Sequence, residues 1–578
     1  MFRKNETHLQ PLLMGDLNSL SVKQRRRLED SWAGVFYHEF FCRLDETAFA
    51  VLYSDEASRP NVPVNVLVGL EVLKSGFGWS DCEMHDAFTF DVQVRFALGY
   101  QNLGEGEFEL RTVYNFRQRL AQHMQETGQN LLDKAFAQVT DGQIRSFQLK
   151  TARLRMDSTQ IASNIRQMTR LQLLVEVLHR VHRMLSAADQ LHYAATFAPY
   201  LQGSSGQYVY HIRGDETSPH FQAIGTLMQR LLAELAPTYH SDPTYPMLQR
   251  VFCEQFSVTD SAVQARAGAD ISPSSLRSPD DPEATYRRKG CRQYEGYVAN
   301  VTETCEPENP FQLVVKSQAA PNTTEDSTLL VEALPELKQR TGVEILYNDA
   351  GFCGKVADQV LRQFHVTQVP TGLRGHAPNP HRLNLSDFQI HFTLQEQPCE
   401  ITCPQGQTVA IDPGRTPQSC IARFKGALCQ GCPLQQRCPS YLKKSDPDRS
   451  LRFSHTQIDV ALRRQRCRAY LKSGQNLRSA VEAAIGAIKR PFPEDQLPVR
   501  GQFRVAGLML CSAAMLNLRR IQRYLSTRPE PSPQEAAMGH GENAPELSLV
   551  SFWTTLRTCC RRLRERLTPH RTALSFGC

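Results

Sequence analysis

Two apolar stretches that each run into a carboxylate constrain this chain more than any other feature. The first is Arg153-Leu154-Arg155-Met156-Asp157-Ser158-Thr159. It reads as a short strand ending on Asp157, with Leu154 and Met156 on one face. Taken alone it also fits a surface turn, because Asp-Ser-Thr is ordinary turn chemistry. The second is Val343 to Tyr347 (VEILY), a buried strand by its apolar run, followed at once by Asn348-Asp349-Ala350-Gly351-Phe352. Between and after them, Tyr294 to Val301 and Phe311 to Lys316 read as strands. Thr328 to Thr341 and Lys355 to Phe364 read as helices, and Val366 to Val369 as a last strand. Asp157 and Asp349 thus end the first and fourth strands of one series. If those strands are neighbours in one sheet, both carboxylates emerge at the same edge.

A third carboxylate lies on a helix expected over about 476–490, within QNLRSAVEAAIGAIKRPF. Arg478, Glu482 and Lys489 are spaced so as to share one helix face, beside an apolar stripe of Leu477, Val481, Ile485 and Ile488. An isolated Arg–Glu pair of this kind is worth only ~0.3–0.5 kcal/mol. Together, however, Asp157, Asp349 and Glu482 have the order and setting of a two-metal phosphoryl-transfer site. Such a site needs hard oxygen ligands converging on two Mg²⁺ (or Mn²⁺) ions roughly 3.5–4 Å apart. Arg478 and Lys489 would then position DNA phosphates, and Arg374 in LRGHAPNPH is a further phosphate contact. His376 in the same turn invites reading as a general base, but a metal-activated water needs none.

The flanks are read more coarsely. Residues 1–145 are expected to be helical, with Val66, Leu67, Leu70, Leu73 and Phe77 at helical spacing. Further helices are expected over Asp86 to Leu98 and Leu110 to His123. Basic faces there suit a DNA-binding or dimerisation module, and a plain bundle fits equally well. A helical insertion is expected over about 161–285, loop-like from 265, and an apolar helix over 501–526. Residues 527–578 read as a linker and a basic tail.

Six of the 17 cysteines fall between Cys399 and Cys438. Cys429 and Cys432 form a CxxC pair, Cys438 follows and Cys403 stands upstream, a set that could bind a structural Zn²⁺ tetrahedrally. Cys399 and Cys420 are alternatives for the fourth ligand. An insertion this polar is expected to have little core of its own, which favours a metal.

The formal net charge of +7 comes from 66 basic and 59 acidic residues and permits a polyanionic partner. The basic residues cluster at Lys23 to Arg27, Arg463 to Arg468, Arg519 to Arg523 and Arg557 to Arg571. No apolar run of about 18 residues predicts a membrane span. The first residues lack the apolar region of a signal peptide, and so many cysteines without a secretion signal are not a disulfide framework. A cytoplasmic, nucleoid-associated protein is expected.

These motifs resemble the DDE transposases of bacterial insertion sequences. The resemblance rests on RLRMDSTQIASN for the first Asp, VEILYNDAGFCGK for the second and RSAVEAAIGAIKR for the Glu. SPDDPEATYRRKG before YEGYVANV, and the N-terminal SRPNVPVNVLVGL, GWSDCEMHDAF and LRTVYNFRQRL, add to it. The late-helix signature usually begins with a Tyr three residues before the Arg, where this chain has Gln475. The resemblance implies an α/β fold: a ribonuclease H-like mixed sheet flanked by helices, with an all-α N-terminal domain, a helical insertion and a small cysteine-rich zinc-binding insertion. It divides the chain into 1–145, a core of 146–375 with 470–526, an insertion of 376–469, and 527–578. It implies a transposase, at least dimeric, that binds the inverted ends of its element on double-stranded DNA and cuts and joins them with two metal ions. A nuclease that cuts without joining, or a non-catalytic DNA-binding derivative, are the alternatives.

Overall fold

A computed structural model describes residues 1–527 except 11–14, 55, 57–59, 211, 260–261, 376–377, 394–396, 444–445 and 493–495. The expected linker and basic tail, from residue 528, and His376 lie outside the described residues. All that follows lies in the first of two compact units, Met1–Ser526, apart from the last residue of one helix.

The central sheet contains β1 (Arg153–Ala162), β2 (Thr285–Lys289), β3 (Arg292–Thr304), β4 (Val314–Pro321), β5 (Ile345–Asn348) and β6 (Thr367–Pro370). Helix α1 (Asp326–Thr341) connects β4 to β5, and α2 (Lys355–Gln363) connects β5 to β6. The spatial order is β2-β3-β1-β5-β6, and β4 pairs with the later part of β3, on the edge away from β1. β1 is antiparallel to β3 and parallel to β5, and β5 is parallel to β6. This mixed order agrees with the sheet that the resemblance implies.

One expectation about β1 is corrected. The strand does not end at Asp157 but continues to Ala162. Its antiparallel partner β3 accompanies it from Leu154 to Ala162, whereas the parallel partner β5 pairs only from Arg153 to Arg155. Asp157 therefore sits mid-strand, just past the point where the parallel ladder stops. Leu154 and Met156 are fully buried, in a core shared with α1 and α2. The intervening Arg155 and Asp157 point to the opposite face, as strand alternation requires.

That opposite face is covered by α4 (Ser479–Lys489) and α5 (Gln502–Thr527), which follow α3 (His455–Ser473). A second apolar core, on this face, continues into the N-terminal helices: Ile161, Tyr297, Val301, Val481, Ile485 and Met515 belong with Leu70, Leu73 and Phe116. Gly76, on the helix Val64–Phe77, is needed for this approach. A Cβ there would overlap Met515 of α5. The helix expected over Asp86 to Leu98 is two helices, Asp81–Phe90 and Val92–Ala97. Asp91 between them is extended, and its carboxylate accepts from the amides of Gln93 and Val94, starting the second helix afresh.

The helical insertion has its own core, built from Leu174, Leu178, Ile224, Met228 and Leu248 among others. The cysteine-rich insertion differs from expectation. It is a six-stranded antiparallel sheet running from Gln389–Phe392 to Arg449–Ser454. Phe388, Ile401, Ala422, Phe424, Leu451, Phe453 and Ile458 make a buried cluster inside it. The expectation that it has little core is overturned: three of the strands contribute one to three buried residues each, and alternation places them on one face.

Candidate active site

Asp157 and Asp349 approach each other through strand register. Arg155 pairs with Tyr347, and each carboxylate lies two residues further along its chain. Asp349 leaves β5 as the cap of a single helical turn, Ala350–Phe352, and its Oδ1 accepts the Gly351 amide at 2.6 Å. Beneath it, fully buried Asn348 accepts from Gln368 Nε2 of β6 at 3.2 Å, fixing the end of the strand.

Helix α4 begins at Ser479, later than expected, but Arg478 is its N-cap with helical φ and ψ, so its spacing to Glu482 holds. Arg478 Nη2 donates to Asp157 Oδ2 at 2.8 Å, and Nη1 lies 3.3 Å from Glu482 Oε1. One guanidinium thus links carboxylates from two elements. The Asp157 side chain is 8% exposed and that of Glu482 is 59% exposed. Burial pushes the Asp157 carboxyl above its ordinary value, against Arg478 and the Ser158 amide, and the Asp349 charge pushes the same way. Burial would lower Arg478, but Asp157, then Asp349 and Glu482, hold its proton and raise it. All three carboxylates therefore act on one cation. Arg478 Nε is buried and has no hydrogen-bond partner among the described residues.

At the far end of α4, Lys489 Nζ donates to Thr159 Oγ1 at 3.3 Å and to the Gln160 carbonyl at 3.4 Å. Arg374 is 67% exposed, and its Nη2 stands 4.0 Å from Asp326 Oδ2. Asp326 was missed in the sequence. It lies in the first turn of α1, is buried, and accepts the Ser158 hydroxyl at 2.7 Å. A Cβ on Gly351 would overlap Asp326 Oδ2 and stand 2.8 Å from both Asp349 Oδ1 and Arg374 Nη2. Four side chains therefore gather round these two turns. The signal available was an acidic residue at a helix start, TTEDSTLL, which ordinary capping also explains.

Several basic residues turn out to be structural. Arg463 pairs with Asp358 at 2.5 Å and Arg468 with Asp387 at 2.7 Å, docking α3 onto its neighbours. Arg519 donates to the Gly76 carbonyl and Arg520 to Glu303, both at 2.6 Å. Arg117, in the helix Leu110–Thr127, is held by Glu71 and Asp81.

The cysteines sort clearly. Burial first, then Cys438, Cys432 and Cys403, push up the Cys429 thiol, with Arg449 opposing, so the other three expected ligands lie within electrostatic reach of it. Cys429 and Cys432 are joined by a turn bond, and the Gln407 amide donates to Cys403 Sγ at 3.4 Å. Cys399 instead contacts the His391 carbonyl, and Cys420 faces His455.

Among the described residues no three His, Cys, Asp or Glu side chains are grouped so as to hold a metal ion. At the carboxylates, Arg478 pairs with two of the three, Asp157 and Glu482. Their hard oxygen donors suit a divalent cation, and a cation is what they already hold. No helix among the described residues is long and apolar enough to cross a membrane.

A family model described as a transposase DDE domain matches residues 402–522. The span contains Arg478, Glu482 and Lys489 and lies downstream of Asp157 and Asp349. No curated protein matches the chain, and no solved structure matches it. The resemblance to a DDE-type transposase drawn from the three motifs is thereby supported.

Proposed function

With a transposase DDE domain as the premise, we propose that this protein is a DNA transposase that binds the terminal inverted repeats of an insertion sequence, cleaves the ends and joins them to target DNA. The observation that carries this reading is the single guanidinium of Arg478 shared by Asp157 and Glu482, with Asp349 next in register. The carboxylates come from separate elements: Asp157 from the middle of β1, Asp349 from the turn after β5 and Glu482 from α4. Asp157, Asp349 and Glu482 are the catalytic residues of this reading. Two Mg²⁺ or Mn²⁺ ions held by them would activate the attacking oxygen and stabilise the leaving oxygen.

In cleavage, a water oxygen bonds to phosphorus and the bond to the 3′ oxygen breaks, leaving a 3′-hydroxyl on the element. In joining, that hydroxyl attacks a target phosphodiester and displaces a target 3′ oxygen. Each released proton passes to solvent. Both steps ask for positioning and charge stabilisation rather than covalent help. Arg478, Lys489 and exposed Arg374 contact DNA phosphates.

Residues 1–145 serve DNA binding and dimerisation, since two ends must be held together. Residues 146–375 and 470–526 form the catalytic core, interrupted by the helical insertion. The insertion of 376–469 holds a structural Zn²⁺ on Cys403, Cys429, Cys432 and Cys438. The protein works in the bacterial cytoplasm at the nucleoid.

A strand-joining assay tests the reading. A duplex bearing the element end, supplied with supercoiled target DNA and Mg²⁺, should yield covalently joined products. Cleavage without joining would reduce the function to that of a nuclease, and binding without either would make it a non-catalytic derivative.

A further inference from the structure

Helix α4 is fastened along β1 at three heights. The Leu477 carbonyl accepts from Arg155 Nη1 at 2.7 Å, Arg478 grips Asp157, and Lys489 reaches Thr159 and Gln160. The spans match. Five residues of strand rise ~16 Å at ~3.3 Å each, and twelve residues in helical rise cover ~18 Å at 1.5 Å each. The fastening at Arg155 is the one backed by a second buried charge. Arg155 is 6% exposed and Glu303 is fully buried. The two stand directly opposite each other across the β1–β3 ladder.

Arg155 Nε donates to Glu303 Oε1 at 2.7 Å, and Arg520 of α5 donates to Glu303 Oε2 at 2.6 Å. Glu303 is thus held on both oxygens, by strand and by helix. Arg155 spends its remaining reach on the peptide carbonyl immediately before Arg478. A buried Arg–Glu–Arg triad is weak evidence for stability, because desolvation offsets most of its Coulombic gain. Its geometric consequence is specific: it sets where the chain enters α4.

We infer that Arg155, anchored by Glu303 and Arg520, is a positioning residue that fixes the start of α4 over β1 and so holds Glu482 in place relative to Asp157. The inference rests on the catalytic reading given above for those carboxylates. A Lys keeps the charge beside Glu303 but is a point charge, without the planar fork that serves Glu303 and Leu477 together.

The test is Arg155→Lys, with Arg520→Lys as a control that alters the triad without touching Leu477. Amide hydrogen exchange and end cleavage are measured for both, with cleavage rates normalised to folded protein. In Arg155→Lys, exchange across 476–482 should quicken while that of the helix Val64–Phe77 stays as in the wild type. Its kcat for cleavage should fall ~100-fold, the order expected for a displacement of about 1 Å, with DNA affinity unchanged within about twofold. Arg520→Lys should leave exchange at 476–482 as it is. Wild-type exchange and wild-type kcat in Arg155→Lys would overturn the inference, as would equal effects of both variants. Absence of cleavage by the wild type would instead refute the transposase reading, and the exchange data would still judge the positioning role.

Discussion

Replacing Arg478 by Gln should tighten the binding of Mn²⁺ to the protein without DNA. The guanidinium pairs with Asp157 and Glu482, so in the proposed site a metal ion held by those carboxylates has to compete with it. Unit charges about 4 Å apart interact by ~4 kcal/mol at an effective dielectric of ~20. Asp157, 8% exposed, feels much of this, whereas Glu482, 59% exposed, gains only the ~0–1 kcal/mol of a surface pair. Desolvation of Arg478 offsets part of the larger value. A net penalty of ~1.4–2.7 kcal/mol on the metal is left, or about tenfold to hundredfold in affinity. Gln keeps a donor for Asp157 without the charge. Calorimetric titration with Mn²⁺ near neutral pH reads the difference directly. The same titration with DNA bound should narrow the gap, because a phosphate then competes for Arg478 in the wild type. Equal or weaker Mn²⁺ binding by Arg478→Gln in the absence of DNA would refute the reasoning.

Asp157→Asn should raise the Tm while abolishing cleavage. The folded protein raises the Asp157 pKa above its ordinary 3.8, so stability is lost as pH climbs through that window, and the Asn variant escapes the loss. The Tm gap should be near zero at pH values below the ordinary carboxylate range and largest at neutral pH, as scanning calorimetry at several pH values would show. Gly351→Ala forces a Cβ against Asp326 and Asp349, so it should cost ~1–3 kcal/mol in denaturant unfolding and at least about tenfold in cleavage. Wild-type protein should carry about one zinc ion per chain by elemental analysis, and Cys429→Ser close to none. Because the surrounding sheet has its own apolar cluster, that variant should keep its far-ultraviolet circular dichroism.

The alternation of β1, the VEILY run and the late helix were legible because apolar period and length agree in each. Asp157 was misplaced to a strand end because its ladder with β3 depends on residues more than a hundred positions away. The insertion sheet was not legible: neither Gln389–Phe392 nor Tyr441–Leu442 has a buried residue. Helix α3 carries cations on several faces, so periodicity hides it, although Ser454 and Gln457 form a capping box that marked its start. Asp326 and Arg155 could not be singled out by local pattern, because what sets them apart is the residue each meets: Ser158 for one, Glu303 and Leu477 for the other.

The most direct test of the catalytic triad is end cleavage by the wild type beside Asp157→Asn, Asp349→Asn and Glu482→Gln, in Mg²⁺ and on a labelled duplex carrying the element end. Glu482 is exposed, so its Gln variant should fold within about 0.5 kcal/mol of wild type and bind the duplex normally. The triad predicts cleavage by the wild type and by none of the three variants. Wild-type cleavage by any one of them would contradict it.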